Sequence, residues 1–479
     1  MKKRRGKKEI IRGSSKSFHE LYKWLDSKKI EKAFSPYDIR AVYPEFINEE
    51  VAYRAGRAFA SLIKEKIVFL GRDTRLSSPI LTMAFAQGVT DQGVDVVDIG
   101  LCDTPQIYFL SAHFKKPGAM ITASHNPKQY NGIKLVHGDA SPFGPNSGLD
   151  KMKQLAIKNK FKEIKEKQRG KMRKMDFMNL YRHYLMTYIH EQKLRHIKVV
   201  VDAGNGMAGK IFPEICKNMR LEIVPLFFEM DGEFPNHIPN PAIPENLKWI
   251  KKKVVKEKAD IGIIFDGDMD RVAFVDEKGK AVSPSVIAAM LAKHFLKGKR
   301  AGKMVYAATC GKIFKETIER YGGTAIREHV GHSLVKETMI KNKAVFGAEH
   351  NGHYFYQKNH YTDSGMITAL LVLGILGKKF EPFSWFLEEF EKYRNVGEIS
   401  IKVKEEVKDK ILRVVEKIYK EKGAKIDKFE GISFEFNDWW FNIRKSGSEP
   451  LIRINLEATR EKLRKTKLKE LLKLIKKVK

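Results

Sequence analysis

Short apolar runs separated by amphipathic stretches recur along most of the chain, and this alternation constrains the fold more than any other feature. Residues 66–70, 94–99 and 119–123 read as buried strands, with Ser77-Ser78-Pro79 and Thr104-Pro105 opening the helices between them. The pattern restarts with strands at 197–201, 221–227 and 260–265 and a helix near 247–258. It restarts again with strands at 304–308 and 344–348 among helices at 284–296, 313–321, 333–340 and 363–376. Strands alternating with helices specify parallel or mixed sheets covered by helices. From about Arg394 the order changes to strand 397–403, helix 407–422, two strands bracketing Trp439-Trp440, and a basic closing helix. The expected class is therefore α/β: three related α/β domains with mixed sheets at 34–170, 171–280 and 281–393, then an α+β domain at 394–479. Residues 1–33 read as a basic N-terminal extension outside the main fold.

The formal charge of +32 raises nucleic acid as a partner. The excess, however, concentrates in the N-terminal arm, in residues 151–174 and in the helix from Arg460. All three read as solvated faces or linkers without the aromatic interleaving of a single-strand binder, which argues against nucleic acid. Cys102, Cys216 and Cys310 are widely spaced and form no CxxC pair, so neither a cysteine zinc site nor a disulfide framework is expected, and a reducing cytoplasm is the natural compartment. No apolar run reaches the roughly 18–20 residues of a membrane helix, and no apolar signal core follows the basic N-terminus.

Four stretches carry chemistry. In Thr122-Ala123-Ser124-His125-Asn126-Pro127, Ser124 falls where a strand ends, the rim at which α/β proteins place reacting groups. Residues 129–134 form a second turn and a strand that returns Lys134 to that rim. These residues alone leave a reactive serine and a capped loop equally open. A serine hydrolase is excluded, because there is no GxSxG elbow and His125, adjacent on an extended chain, points away from Ser124.

Asp266-Gly267-Asp268-Met269-Asp270-Arg271 lies between two apolar strands, and its three carboxylates can converge on one hard cation. A calcium-hand loop would place Glu277 twelfth, but it wants Gly where Arg271 stands and helices on either side. Arg271 suits an anion, such as a phosphate, bound beside the metal. Arg444-Lys445-Ser446-Gly447-Ser448-Glu449-Pro450 with Arg453 offers guanidinium, hydroxyl and backbone N–H groups for a phosphate; the plain alternative is a glycine turn between strands. In Gly347-Ala348-Glu349-His350-Asn351-Gly352-His353, Glu349 and Asn351 alternate. Both can therefore face vicinal sugar hydroxyls, with His353 on the same side if the strand continues.

Together, and in order over nearly all of residues 34–479, these stretches resemble the α-D-phosphohexomutase family. The TASHNP, DGDxDR, GGExSGH-like and RxSGTEP-like loops carry the resemblance. Tyr37-Asp38-Ile39-Arg40 and residues 71–75, 201–206 and 234–241 are similar to the phosphomannomutase/phosphoglucomutase branch more than to the glucosamine-phosphate branch.

The resemblance implies four domains around a central cleft, each giving one functional loop. It implies a phosphoserine at Ser124, and Mg²⁺ on that group with Asp266, Asp268 and Asp270. The substrate's 1- or 6-phosphate would sit on Arg444, Ser446, Gly447, Ser448 and Arg453, and its 3- and 4-hydroxyls on Glu349 and Asn351. Arg40, Lys134 and His353 match positions near the transferring phosphate, as acid/base or charge-stabilising groups, and His125 and Asn126 support the serine loop. Ala41, Ser448 and Asn351 stand where the family usually has Gly, Thr and Ser, and the larger Asn351 bears on substrate preference.

The implied activity interconverts hexose 1- and 6-phosphates of mannose or glucose through a hexose 1,6-bisphosphate intermediate, which also serves as activator. The alternative substrate is glucosamine phosphate. A remoter alternative is an anionic-surface or nucleic-acid binder working through the basic arm. A monomer with no membrane partner is expected.

Overall fold

The chain builds four sheets in sequence order, and the computed structural model describes residues 27–35, 37–144, 147–189, 194–298, 302–446 and 450–478. The first sheet holds β1 (Ile39–Val42), β2 (Ile67–Arg72), β3 (Asp95–Leu101), β4 (Gly118–Ile121), β5 (Tyr130–Val136) and β6 (Met172–Lys174), in the order β1-β5-β4-β2-β3-β6. The second holds β7 (Ile197–Asp202), β8 (Leu221–Leu226), β9 (Ile261–Phe265), β10 (Val272–Asp276) and β11 (Ala281–Val282), in the order β11-β10-β9-β7-β8. The third holds β12 (Lys303–Ala307), β13 (Thr324–Glu328), β14 (Phe346–Ala348), β15 (Tyr354–Tyr356) and β16 (Thr362–Asp363), in the order β13-β12-β14-β15-β16.

The three sheets share a four-strand pattern. In each, a strand lies parallel to its two neighbours, and the third strand of the unit turns back antiparallel into the fourth: β2, β3, β4 and β5; β7, β8, β9 and β10; β12, β13, β14 and β15. The connection between third and fourth strands carries the serine loop in the first unit, the carboxylate loop in the second and the Glu349 loop in the third. A single topological position, at the carboxyl end of a central parallel strand, thus supplies all three. The fourth sheet is antiparallel throughout: β17 (Arg394–Lys402), β18 (Lys425–Asp427), β19 (Ile432–Glu435), β20 (Trp439–Lys445) and β21 (Leu451–Ala458), in the order β17-β21-β20-β19-β18. Its β20–β21 hairpin carries Arg444 and Arg453.

One apolar cluster runs unbroken through the first three units, from Phe69 and Tyr108 through Val199 and Phe265 to Phe346 and Leu370. The fourth unit has its own core around Val415, Phe434, Phe441, Ile454 and Leu471. In the first unit, helices Glu49–Leu62 and Ser78–Thr90 cross through a pair of glycines. A Cβ on Gly88 would stand 2.1 Å from the Tyr53 carbonyl oxygen, and one on Gly56 2.2 Å from that of Phe85. Gly88→Ala must push the helices apart, and a loss of about 1–3 kcal/mol is expected from such overpacking. A thermal melt in which Gly88→Ala matched the parent would contradict this.

Several sequence expectations need correction. Helix Ser27–Ala33, expected to lie outside the fold, buries Ile30 and Ala33 in the first unit's core; residues 1–26, whose sequence also reads as a short helical patch around Phe18, Leu21 and Leu25, lie outside the described residues. The Lys-rich stretch 151–174 is not a linker. Helix Leu149–Lys158 buries Leu149, Met152 and Ala156, and β6 pairs with β3, so the first sheet extends past residue 170. Trp439 and Trp440 are not bracketed by strands but lie within β20, paired with Ala458 and Glu457. Among the described residues, no helix is long and apolar enough to cross a membrane.

Candidate active site

β4 delivers Ser124 to the rim of the first sheet, where the chain turns through a left-handed residue: Ser124 has φ +51°, a region uncommon outside glycine. Its N–H donates to Thr122 Oγ1 at 2.8 Å, and the Thr122 hydroxyl donates to Asp73 Oδ2 at 2.7 Å. The Ser124 side chain is buried and its hydroxyl donates to Asp266 Oδ2 at 2.6 Å. His125 Nδ1 lies 3.3 Å from Ser124 Oγ. This corrects the expectation of opposite faces, because the left-handed turn brings the two side chains to one side. Burial first, then the Arg271 and Arg40 charges, hold the His125 imidazole well below its ordinary pKa, so it meets the serine as a neutral ring.

The carboxylate loop reverses the chain between β9 and β10, and Gly267 lets it approach the serine loop. A Cβ there would lie 2.7 Å from the Ser124 carbonyl oxygen. Asp266, Asp268 and Asp270 are all buried, with a carboxylate oxygen of each within 4.8 Å of the others. Lys134, opposite Met120 on β5, reaches the same point, donating to Asp268 Oδ2 at 2.7 Å and to Asp270 Oδ2. Burial opposes the Lys134 charge, but Asp268 and Asp270 outweigh it and raise the pKa. Thr104 hydroxyl adds a 2.5 Å bond to Asp268 Oδ2.

Charge in this cluster is not balanced. Burial and the neighbouring Asp270 and Asp268 carboxylates push Asp266 well up. Burial also opposes the Asp270 carboxylate, but Lys134 and Arg271 hold it well down. Asp268 Oδ1 and Asp270 Oδ1 are buried without a hydrogen-bond donor, a costly state unless a cation completes them. The donor set is that of a hard divalent cation.

Arg40 donates through Nε to Asp38 Oδ2 at 3.1 Å and through Nη1 to Asn126 Oδ1 at 3.0 Å and the Ala123 carbonyl at 3.3 Å, which ties β1 to the serine loop. On the opposite side, Arg271 Nε donates to His353 Nε2 at 2.8 Å. His353 must therefore accept at Nε2 and carry its proton on Nδ1, which lies 2.6 Å from Asp363 Oδ2. Lys336 Nζ, 2.8 Å from Asp363 Oδ1 and over the Tyr108 ring, closes this buried line.

Residues 349–353 are a tight turn and not a continued strand, so the alternation expected of Glu349, Asn351 and His353 does not apply. Gly352, at φ +95°, packs on the Val272 carbonyl, and Glu349 N–H donates to the His353 carbonyl at 3.0 Å. The Glu349 carboxylate is buried and accepts from Gly331 N–H at 2.9 Å, whereas Asn351 is half-buried.

On the fourth sheet, Arg444 and Arg453 are direct cross-strand partners and share the Glu398 carboxylate, Arg453 Nη1 at 3.6 Å. Arg444 also donates to Asn455 Oδ1 at 2.7 Å and Asn442 Oδ1 at 3.2 Å. Ser446 is buried, its carbonyl bound by Lys408. Gly447 and Ser448 lie outside the described residues. His350, in the Glu349 loop, lies with Nδ1 3.4 Å from Ser285 Oγ. Burial lowers its pKa to about 4, with Glu398 opposing and Arg444 reinforcing the shift.

The sequence assigns no site role to Asp73, Arg75, Thr104, Lys336, Asp363 or Glu398, all of which hold the expected residues in place, although Asp73 and Arg75 lie in a stretch that carries the family resemblance. The Asp73-Thr74-Arg75 group carried a usable signal: it follows a buried strand at the same carboxyl rim as Ser124.

Comparison with known proteins agrees with this geometry. The chain matches the four models described as phosphoglucomutase/phosphomannomutase: alpha/beta/alpha domain I over residues 31–167, domain II over 177–279, domain III over 283–393, and the C-terminal domain over 398–473. It is 36% identical over 432 residues to a phosphomannomutase of Escherichia coli K12, covering 89% of this chain and 94% of that one. It is 36% identical over 464 residues to a phosphomannomutase of Vibrio cholerae, covering 93% and 98%. A crystal structure of a phosphoglucomutase/phosphomannomutase family protein from Burkholderia thailandensis superposes with a TM-score of 0.83 at 29% identity, over 94% of this chain and 98% of that one. By fold, site and sequence alike, the chain belongs to the phosphoglucomutase/phosphomannomutase family.

Proposed function

We propose that the protein is a Mg²⁺-dependent mutase that interconverts the 1- and 6-phosphates of mannose and glucose by way of a phosphoserine at Ser124. The observation that carries this reading is the 2.6 Å bond from Ser124 Oγ to Asp266, in a buried carboxylate trio where Asp268 Oδ1 and Asp270 Oδ1 have no donor. Asp266, Asp268 and Asp270 would hold Mg²⁺, which supplies a positive charge beside the transferring phosphoryl oxygens.

Phosphoryl transfer asks a protein for positioning and charge neutralisation more than for covalent help. In the first half-reaction the Oγ–P bond of phosphoserine breaks, a bond from phosphorus to the free hydroxyl oxygen of a hexose monophosphate forms, and that hydroxyl's proton is taken up on Ser124 Oγ, which leaves as the serine hydroxyl. Lys134, Arg40 and Arg271 surround the serine with positive charge. Once the resulting 1,6-bisphosphate has turned over, its other phosphate returns to Ser124. Arg444, Arg453, Ser446, Gly447 and Ser448 hold the phosphate that is not reacting, while Glu349 and Asn351 take the sugar hydroxyls in either orientation. His353, with Nε2 engaged by Arg271 and Nδ1 facing Asp363, serves this reading best by orienting Arg271.

The test is a panel of mannose, glucose and glucosamine 1-phosphates with Mg²⁺ and a trace of hexose 1,6-bisphosphate. The highest kcat/KM is expected on mannose and glucose; a large preference for glucosamine would move the substrate to the amino sugar. Arg453→Ala is expected to raise KM about 10- to 100-fold, matching the roughly 1.5–3 kcal/mol of a charge-assisted hydrogen bond, with a smaller change in kcat. An unchanged KM would remove Arg453 from the phosphate site.

A further inference from the structure

The Arg75 side chain is almost wholly withdrawn from solvent, yet its hydrogen bonds go to none of the three carboxylates of the metal loop. Its guanidinium is spent on the backbone of the serine loop. Nη2 donates to the carbonyls of Ser124 at 2.8 Å and Asn126 at 2.7 Å, and Nη1 to those of Pro127 at 2.8 Å and Tyr130 at 3.0 Å. Nε pairs with Asp73 at 3.1 Å, and the same carboxylate accepts from Thr122, whose hydroxyl receives the Ser124 N–H. One Asp–Arg pair therefore grips Ser124 through its carbonyl and, by way of Thr122, through its N–H. The residue so held is in the left-handed region, which a non-glycine backbone seldom adopts.

The second unit closes over this grip. The Phe234 ring lies 5.0 Å from the Arg75 guanidinium, and Gly232 packs so tightly that a Cβ would stand 2.6 Å from the Thr74 carbonyl oxygen. The segment that covers Arg75 thus belongs to the same unit as the carboxylate loop.

We infer that Arg75 is a positioning residue for phosphoryl transfer: it fixes the left-handed turn that points Ser124 Oγ at Asp266. This rests on the mutase reading for its chemistry, but not for its geometry. A loop that must give up and recover a phosphoryl group within one cycle needs the same nucleophile position at both steps, and a displacement of about 1 Å costs on the order of 100-fold in rate.

The experiment uses the full-length enzyme with Arg75→Lys, which keeps the charge but not the four-way fork, and Phe234→Leu, which removes the ring and keeps every bond. Three quantities are read: kcat and KM on mannose 1-phosphate; the single-turnover rate at which hexose 1,6-bisphosphate phosphorylates dephosphorylated Ser124, by intact mass; and hydrogen exchange of the peptide spanning residues 122–131. For Arg75→Lys, kcat and the single-turnover rate should both fall about 100-fold, with KM within a few-fold of the parent and faster exchange confined to that peptide. Phe234→Leu should move the same readouts in the same direction by a smaller factor.

Parent-like kcat in a folded Arg75→Lys enzyme would overturn the proposal. So would a rise in KM equal to the loss in kcat, or exchange raised throughout the first sheet, since either reports a structural role alone. If Arg75→Lys fails to fold, a Phe234→Leu enzyme with parent-like kcat and exchange overturns the proposal by itself. A parent enzyme inactive on every hexose phosphate, but whose loop loosens on Arg75→Lys, would sink the mutase reading and leave the loop grip standing.

Discussion

Ser124→Ala is expected to lower kcat by at least about 10³-fold, the scale of losing a nucleophile that carries the transferred group. The fold should survive, because the loop is held through backbone atoms. Arg75 binds the carbonyls of residues 124, 126, 127 and 130, and none of those bonds involves the serine hydroxyl. The variant does remove the donor that Asp266 Oδ2 receives at 2.6 Å, and an unsatisfied buried acceptor costs about 1–3 kcal/mol. Relative to the dephosphorylated parent, in which that hydroxyl is free to donate, a modest drop in melting temperature should accompany the near-total loss of turnover. Intact mass offers an independent readout, since fresh parent protein should carry about 80 Da of phosphoryl group that the variant lacks. Retention of a tenth of the parent's kcat, or of the added mass on the same peptide, would show that the phosphoryl group is carried elsewhere.

The candidate site was legible in the sequence because each loop concentrates its polar groups within six or seven residues. Asp266, Asp268 and Asp270 meet as their spacing implies, and Lys134 returns on β5 to the same rim. Geometry inside the loops was harder to read. Alternation arguments assume extended backbone, and they failed at Ser124–His125, where the serine is left-handed, and at residues 349–353, which close a turn about Gly352.

The repeated unit is also poorly visible in residues, because what repeats is a strand order: any sequence that buries three parallel strands and one antiparallel strand satisfies it. The Lys-rich stretch was misread for a related reason. Its charges lie on the outer surface, whereas Leu149, Met152 and Ala156, three and four positions apart, form a narrow buried stripe. β6 is exposed along its length and so leaves no period-two trace at all. Asp73 and Arg75 fall in a stretch that carries the family resemblance, but their grip on the serine loop is not readable, because a polar group after a strand looks like an ordinary turn until the partner loop is in place.

Lys134 is the cation whose removal should cost most. Lys134→Met keeps much of the side chain's length and removes the charge that binds Asp268 and Asp270 inside a nearly solvent-free cluster. Breaking a buried ion pair by deleting one partner destabilises a protein by about 3–5 kcal/mol, because the other charge stays buried without compensation. Here two carboxylates lose their counter-ion while Asp266 stands beside them, so the loss belongs at the upper end of that range. On the mutase reading the carboxylates have a second means of neutralisation, a divalent cation, and this gives the prediction its particular form. In chelator, Lys134→Met should melt well below the parent; with excess Mg²⁺ it should recover more than the parent gains, since the ion then offsets charges that Lys134 no longer covers. Turnover should stay at least about 100-fold below the parent even with the metal present, because the positive charge beside the reacting phosphate is not restored. A variant that melts with the parent in chelator would show that the cluster is neutralised by protonation instead, and that Lys134 is not its electrostatic keystone.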